Sequence, residues 1–374
     1  MINPKYENLA KIAVEYSLEV KKGQQVVVIG PSIASELFQA LSVEILKVGA
    51  HPATYPQMEG MQELFFKNAS NEQIEFVNDF TKVLYQKFDC LIQISAEFNT
   101  RKMSNVKPEK MAAYMGAPER KELLELFEKK VTSGDINWVI LPFPCQAHAQ
   151  EANMDLFSYS DFVNKSLFLD KENPIEEWRQ MQREQEEVVD YLNKIDKIQV
   201  VGEDTDLSLS VKGRTWTNSS GQKNLPDGEV FTGPIEDSVN GKIRFTYPGI
   251  YYGQEIEDIY LEFKDGEVVN ASAKKGGEIL DEILKMENAK IIGEFAIGTN
   301  YGVDKFTKNM LFDEKIGGTL HCALGLGFAE NGSKNKSPIH WDMLKDMKLP
   351  GSKIIADGKV IYEEGNWKIE KNKK

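Results

Sequence analysis

Two of the four histidines in this chain, His321 and His340, lie in one stretch, DEKIGGTLHCALGLGFAENGSKNKSPIHWD (residues 313–342), together with Asp342 two residues after the second histidine. If IHWDM is extended, the period of two in a strand projects His340 and Asp342 from the same face. The run TLHCALGLG is apolar, glycine-rich and too short for an ordinary helix. His321 is therefore expected on a strand with close backbone approach, where its imidazole must find a partner. Two acids upstream stand in similar settings. Glu229 follows a Pro-Asp-Gly turn in NLPDGEVFTGP, and Glu294 is the single acid of the strand-like KIIGEFAIGTN. A carboxylate among Ile, Phe and Ala is costly unless it is paired or bound to a cation.

Each of these residues also has a plainer explanation. A histidine on an apolar strand commonly bonds a backbone carbonyl, an Asp near a His often only orients it, and a buried Glu can be neutralised by a lysine. The lysine explanation suits Glu229 better than Glu294, because an interior strand leaves lysine little room. Taken together, Glu229, Glu294, His321, His340 and Asp342 offer hard carboxylates and two imidazoles. That set suits two divalent first-row ions, zinc, cobalt or manganese, and the reaction class such a pair serves is hydrolysis. Structural zinc prefers cysteine thiolates, and the second half of the chain holds only Cys322.

Two other stretches could carry chemistry. Cys145, His148 and Glu151 in PCQAHAQE are spaced by one helical turn, which could make a thiolate–imidazole nucleophile or a minor metal site. The plainer reading is a loop and helix start lining a cleft at the carboxyl end of a strand. VVVIGPS resembles the start of a nucleotide-binding turn but lacks both the G-x-G-x-x-G fingerprint and a Walker lysine.

The elements that must position these residues fall into two textures. In the first half, apolar strand-like runs (GQQVVVIG, HPATYP, CLIQISA, NWVILPFP) alternate with helical segments at 4–20, 33–49, 58–68, 72–86 and 108–130, the pattern of an open, mostly parallel α/β sheet. A charged helix over 174–195, with Trp178, Met181, Val188 and Leu192 as its apolar stripe, reads as a connector. Beyond it come strand patterns, with Asp265-Gly266 as a hairpin turn and GGEILDEILKME as the one helix. The expected domains are 1–195, α/β including the connector, and 196–374, mainly antiparallel β with the metal site.

At 374 residues, two domains are the default. A formal net charge of −13 argues against nucleic acid and anionic membrane as partners. The amino-terminal sequence lacks a signal-peptide pattern, no apolar run is long enough to span a bilayer, and three scattered cysteines fit a reducing compartment. The expectation is a cytoplasmic protein.

With these residues in view, the chain resembles the aminopeptidase T, aminopeptidase S and PepS family of metallo-aminopeptidases over most of its length. VKKGQQVVVIGPSIASELFQALSVEILKVGA is similar to the family's opening, and LPDGEVFTGPIEDSVNG, GEFAIGTN, DEKIGGTLHCALG and IHWDM match its later motifs in order. The resemblance implies that Glu229 and Glu294 are the two metal-binding glutamates, His321 the histidine of the GGT-x-H motif, and His340 and Asp342 the ligands of the H-x-D motif. It also implies a homodimer with enclosed active sites that releases single residues from the amino ends of peptides. One position departs from the family. Where members such as aminopeptidase S carry an active-site tyrosine, this chain has Phe328, whose ring can neither ligate a metal nor donate a proton. Two outcomes remain open on sequence: a slower enzyme, or a catalytically impaired, metal-binding or peptide-binding relative.

Overall fold

The structure is a computed structural model and describes residues 3–369. The chain divides into two compact units. One runs up to Ile175 and includes Gly221–Pro226; the other comprises Glu176–Ser220 and the chain from Asp227 onward.

The first unit is built on β1 (Gln25–Pro31), β2 (His51–Gln57), β3 (Cys90–Ser95) and β4 (Asn137–Pro142), ordered β2-β1-β3-β4 and parallel throughout. Val26, Val27 and Val28 are all buried, so successive side chains on both faces of β1 are covered, as the helix–strand alternation predicted. Two expected helices are each broken in two. Asn78 caps a new helix, Asp79–Lys87, after Asn71–Glu75, and Pro118 opens Pro118–Ser133 after Pro108–Gly116. Both breaks are local chemistry: Asn is a strong N-cap, and proline has no N–H to continue a helix.

The connector forms a helix over Pro174–Leu192. The sequence reading put it with residues 1–195, but from Glu176 it groups with the second unit, because Val189 and Leu192 enter that unit's core.

The second unit contains β5 (Lys197–Gly202), β6 (Thr205–Ser210), β7 (Thr217–Ser219), β8 (Glu229–Thr232), β9 (Asn240–Arg244), β10 (Gly249–Tyr251), β11 (Gln254–Ile256), β12 (Tyr260–Lys264), β13 (Glu267–Ser272), β14 (Ile292–Gly298), β15 (Thr319–Gly325), β16 (His340–Asp346), β17 (Lys353–Ala356), β18 (Lys359–Glu363) and β19 (Asn366–Trp367). Besides a small two-stranded sheet in which β10 pairs with β11, one antiparallel sheet is ordered β13-β12-β9-β6-β5-β17-β18-β19, the other β16-β15-β14-β8-β7. The β12–β13 hairpin turns at Asp265-Gly266 with positive φ at both residues, as its sequence predicted. Inward side chains of both sheets, such as Val200 and Leu207 from one and Phe295, Ile297, Leu320, Cys322 and Met343 from the other, share one core. The five-stranded sheet therefore turns its opposite face away from this core, and that face carries the chemistry. Among the described residues, no helix is long and apolar enough to cross a membrane.

Candidate metal centre

Strand alternation assigns each residue of the five-stranded sheet to a face. On β8, Val230 enters the core, so Glu229 points to the opposite side. On β15, Leu320 and Cys322 point inward, so His321 points out with Glu229; on β16, Trp341 and Met343 point inward, so His340 and Asp342 join them. Strict alternation on β14 would fail, since Ile292 is in the core and Glu294 would share its face. A β-bulge between Ile292 and Glu294 shifts the parity by one, so that Phe295 packs inward and Glu294 faces the site. Gly293 makes the bulge possible: a Cβ there would lie 2.3 Å from the Leu326 carbonyl oxygen and 2.4 Å from that of Gly325. The register completes the arrangement. Glu294, Ala323 and Asp342 form one cross-strand row and Phe231, Ala296, His321 and Leu344 the next, with the small side chains of Ala296 and Ala323 leaving room for the polar groups.

All five residues expected from the sequence are thus brought together. His321 Nε2 lies 3.2 Å from both Glu229 Oε2 and Glu294 Oε1, and His340 Nε2 lies 3.6 Å from Glu294 Oε2 and 3.7 Å from Asp342 Oδ1. Glu294 is the hinge of the group, one oxygen facing each imidazole. His340 Nδ1 sits 2.8 Å from the Leu326 carbonyl, which can only accept, so this nitrogen carries a proton and Nε2 is the ring atom turned to the site.

The lysine explanation for Glu229 also holds. Lys315 Nζ donates to Glu229 Oε1 at 2.5 Å and to Glu314 Oε1 at 2.7 Å, with Asp227 Oδ1 at 3.6 Å. Sequence reasoning missed Lys315, Glu314 and Asp227 as site residues. Glu314 and Lys315 lie in a turn and Asp227 in irregular chain, where no periodicity assigns a direction. It also missed Gln185 on the connecting helix, which donates to the Glu229 carbonyl at 2.8 Å and so fixes the start of β8. Phe328, singled out in the sequence, lies beside these residues. Its ring centroid is 5.1 Å from that of His340 and 5.8 Å from that of Phe231.

The electrostatics are those of a site crowded with acids. Burial alone would raise the Glu229 carboxyl, but the Lys315 charge and His321 outweigh it and hold the group at about 2. Glu294 is raised by burial and by the neighbouring Glu229 and Asp342 charges, and Glu314 is pushed up to about 8, chiefly by burial. Burial opposes charge on His321 and His340, yet the carboxylates around them raise both. Protons thus occupy positions that cations could take.

The donors fit a metal. Three sets, Glu229–Glu294–His321, Glu294–His340–Asp342 and Glu314–His321–Asp342, each offer three ligand atoms within 4.8 Å of one another. Glu229 Oε2 and Asp342 Oδ1 are buried without a hydrogen-bond donor, although an unsatisfied buried carboxylate oxygen is expensive. Divalent ions held by the sets to which each belongs would satisfy them.

The family described as thermophilic metalloprotease (M29) matches residues 2–367. The chain belongs to this family. Among curated M29-like relatives, Aminopeptidase 2 of Geobacillus stearothermophilus is 27% identical, over 97% of this chain and 98% of its own length. Aminopeptidase T of Thermus thermophilus is 28% identical, over 96% and 95%. The solved structure of wild-type AmpT from Thermus thermophilus superposes with a TM-score of 0.85 at 22% identity, covering 98% of this chain and 99% of that one. This M29 chain therefore shares that protein's fold over 98% of its length.

Proposed function

We propose that this M29 protein is a metal-dependent aminopeptidase that removes residues from the amino ends of peptides. Its centre would hold two divalent ions, zinc, cobalt or manganese, on Glu229, Glu294, His321, His340 and Asp342, with Glu314 as an additional ligand. The observation that carries this reading is Glu294, whose two oxygens face different imidazoles and which belongs to two of the three ligand sets. Ions bound there would polarise the scissile carbonyl and lower the pKa of an attacking water.

The chain's own residues do the positioning. The Leu326 carbonyl fixes the tautomer and ring orientation of His340, and the Gly293 bulge aims Glu294. We place the protein in the cytoplasm as a homodimer. The cytoplasmic assignment is supported by three buried cysteines, all free, and the dimer by family resemblance.

The experiment is metal analysis of the purified protein combined with release of amino acids from unblocked peptides, before and after chelation and refilling. About two ions per chain with chelator-sensitive release is the expected result; absence of bound metal after refilling would sink the centre.

A second reading, a catalytically impaired metal-binding relative, is favoured by Phe328, which stands against His340 and has no proton to give. Metal occupancy without release supports that reading. Phe328→Tyr should then restore turnover, since a missing transition-state donor typically costs about 10²–10³ in rate.

A further inference from the structure

Lys315 is an unusual neighbour for a metal centre. Its side chain is 1% exposed, and its ammonium contacts two carboxylates that belong to the ligand sets, Glu229 and Glu314, with Asp227 behind them. The backbone holds it in place, because its N–H donates to the Phe312 carbonyl and its carbonyl accepts from Asn300 N–H. It also divides the labour of Glu229: Oε1 is taken by the ammonium, while Oε2 lacks a hydrogen-bond donor and faces His321. A buried charge left without its partner is strongly destabilising, so this cluster of acids needs positive charge whether or not metal is bound.

We infer that Lys315 is a resident cation of the centre, a positioning residue that supports the empty site, confines Glu229 to ligation through one oxygen, and weakens metal binding by its own charge. The inference rests on the metal-centre reading above. Two cations that share the same carboxylates are coupled, and the coupling is reciprocal: removing one strengthens the hold on the other. Asp227 acts in the opposite sense, since it balances the ammonium without belonging to any of the ligand sets.

The test is to titrate metal-free wild type, Lys315→Met and Asp227→Asn with Zn²⁺ against a chromophoric chelator, and to record melting with and without saturating Zn²⁺. Lys315→Met should bind zinc roughly 5–100-fold tighter, the usual span of coupling between sites, and show a larger zinc-induced rise in melting temperature than wild type. Asp227→Asn should bind zinc more weakly than wild type. A merely structural lysine would lower melting equally in both conditions and leave the zinc titration unshifted. Unchanged or weaker binding by Lys315→Met, or shifts of the same sign in both variants, overturns the inference. If Lys315→Met folds in neither condition, Asp227→Asn decides, and an affinity within about twofold of wild type overturns it. Wild type that binds no zinc removes the metal-centre reading as well, whereas wild type that binds while the variants do not shift removes only the role of Lys315.

Discussion

His148 and His321 are both removed from water, and the two burials have opposite consequences. His148 stands on the short helix Gln146–Glu151 after β4, with its ring edge-on to Tyr159 at 6.4 Å; burial lowers its pKa to about 4, and Glu151 opposes this only in part. The Glu151 carboxylate is engaged by Thr100 at 2.8 Å and Arg101 at 3.4 Å. Burial raises the nearby Cys145 thiol, which is therefore a poor source of thiolate at neutral pH. His321 is buried as deeply as any residue in the chain, yet Glu229 and Glu294, each 3.2 Å away, raise its pKa instead. Residue types alone made both clusters candidates. What separates them is the number of carboxylates that reach the imidazole: several acids at close range raise its pKa, while an imidazole governed by burial stays neutral.

The largest effect that could break this contrast is at Glu294. Glu294→Gln should abolish binding of both ions, with a loss of metal affinity beyond the roughly 10–100-fold seen when only an outer partner of a ligand is removed; metal analysis after refilling measures it. Retention of one full ion would show that Glu294 serves only one of its two ligand sets.

A pH series sharpens the comparison next. Burial keeps a proton on Glu314 up to about pH 8, and the surrounding carboxylates raise both imidazoles; these protons must leave before the atoms can ligate, so metal affinity should rise as pH climbs toward 8. The slope should approach about tenfold per pH unit for each proton displaced, and calorimetry in buffers of different ionisation enthalpy counts those protons. A flat profile would mean that protons do not share the site.

The first unit should respond to acid through its own histidine. With a folded pKa of about 4 against the model-peptide 6.5, His148 contributes stability that is fully present above about pH 6.5 and lost as pH falls through 4. The loss is at most about 3 kcal/mol, since the side chain is only partly shielded. His148→Gln should flatten that part of the stability–pH curve, as read by denaturant melts at several pH values. The smallest expected effect is at Cys145: Cys145→Ser should leave metal content and peptide release within about twofold of wild type, because among the described residues that thiol belongs to none of the ligand sets. Loss of activity there would revive the thiol-nucleophile reading.

Much of the centre was legible in sequence because its signals are local. His340 and Asp342 share a face by the period of two, and His321 and Glu294 stand out as polar residues in apolar strand runs. The alternation of apolar strands and helices gave the parallel sheet of the first unit for the same reason. Helix breaks at Asn78 and Pro118 were readable in principle, since both residues carry known stop and start chemistry.

Other features depend on contacts between segments far apart in the chain. The Gly293 bulge, without which Glu294 would point into the core, exists because the Gly325–Leu326 backbone passes too close for any side chain. The cross-strand register that sets Glu294 beside Asp342 is a property of β14, β15 and β16 together. Lys315 meets Glu229 across 86 residues of sequence, and Gln185 meets the same strand from the connecting helix. Sequence by itself determined which side chains could bind a cation and which strands would carry them, because residue type and alternation are local properties. Tertiary structure alone decided which face Glu294 takes, which acids share a lysine and which imidazole stays neutral, because Coulomb interactions and close packing depend on distance in space rather than along the chain.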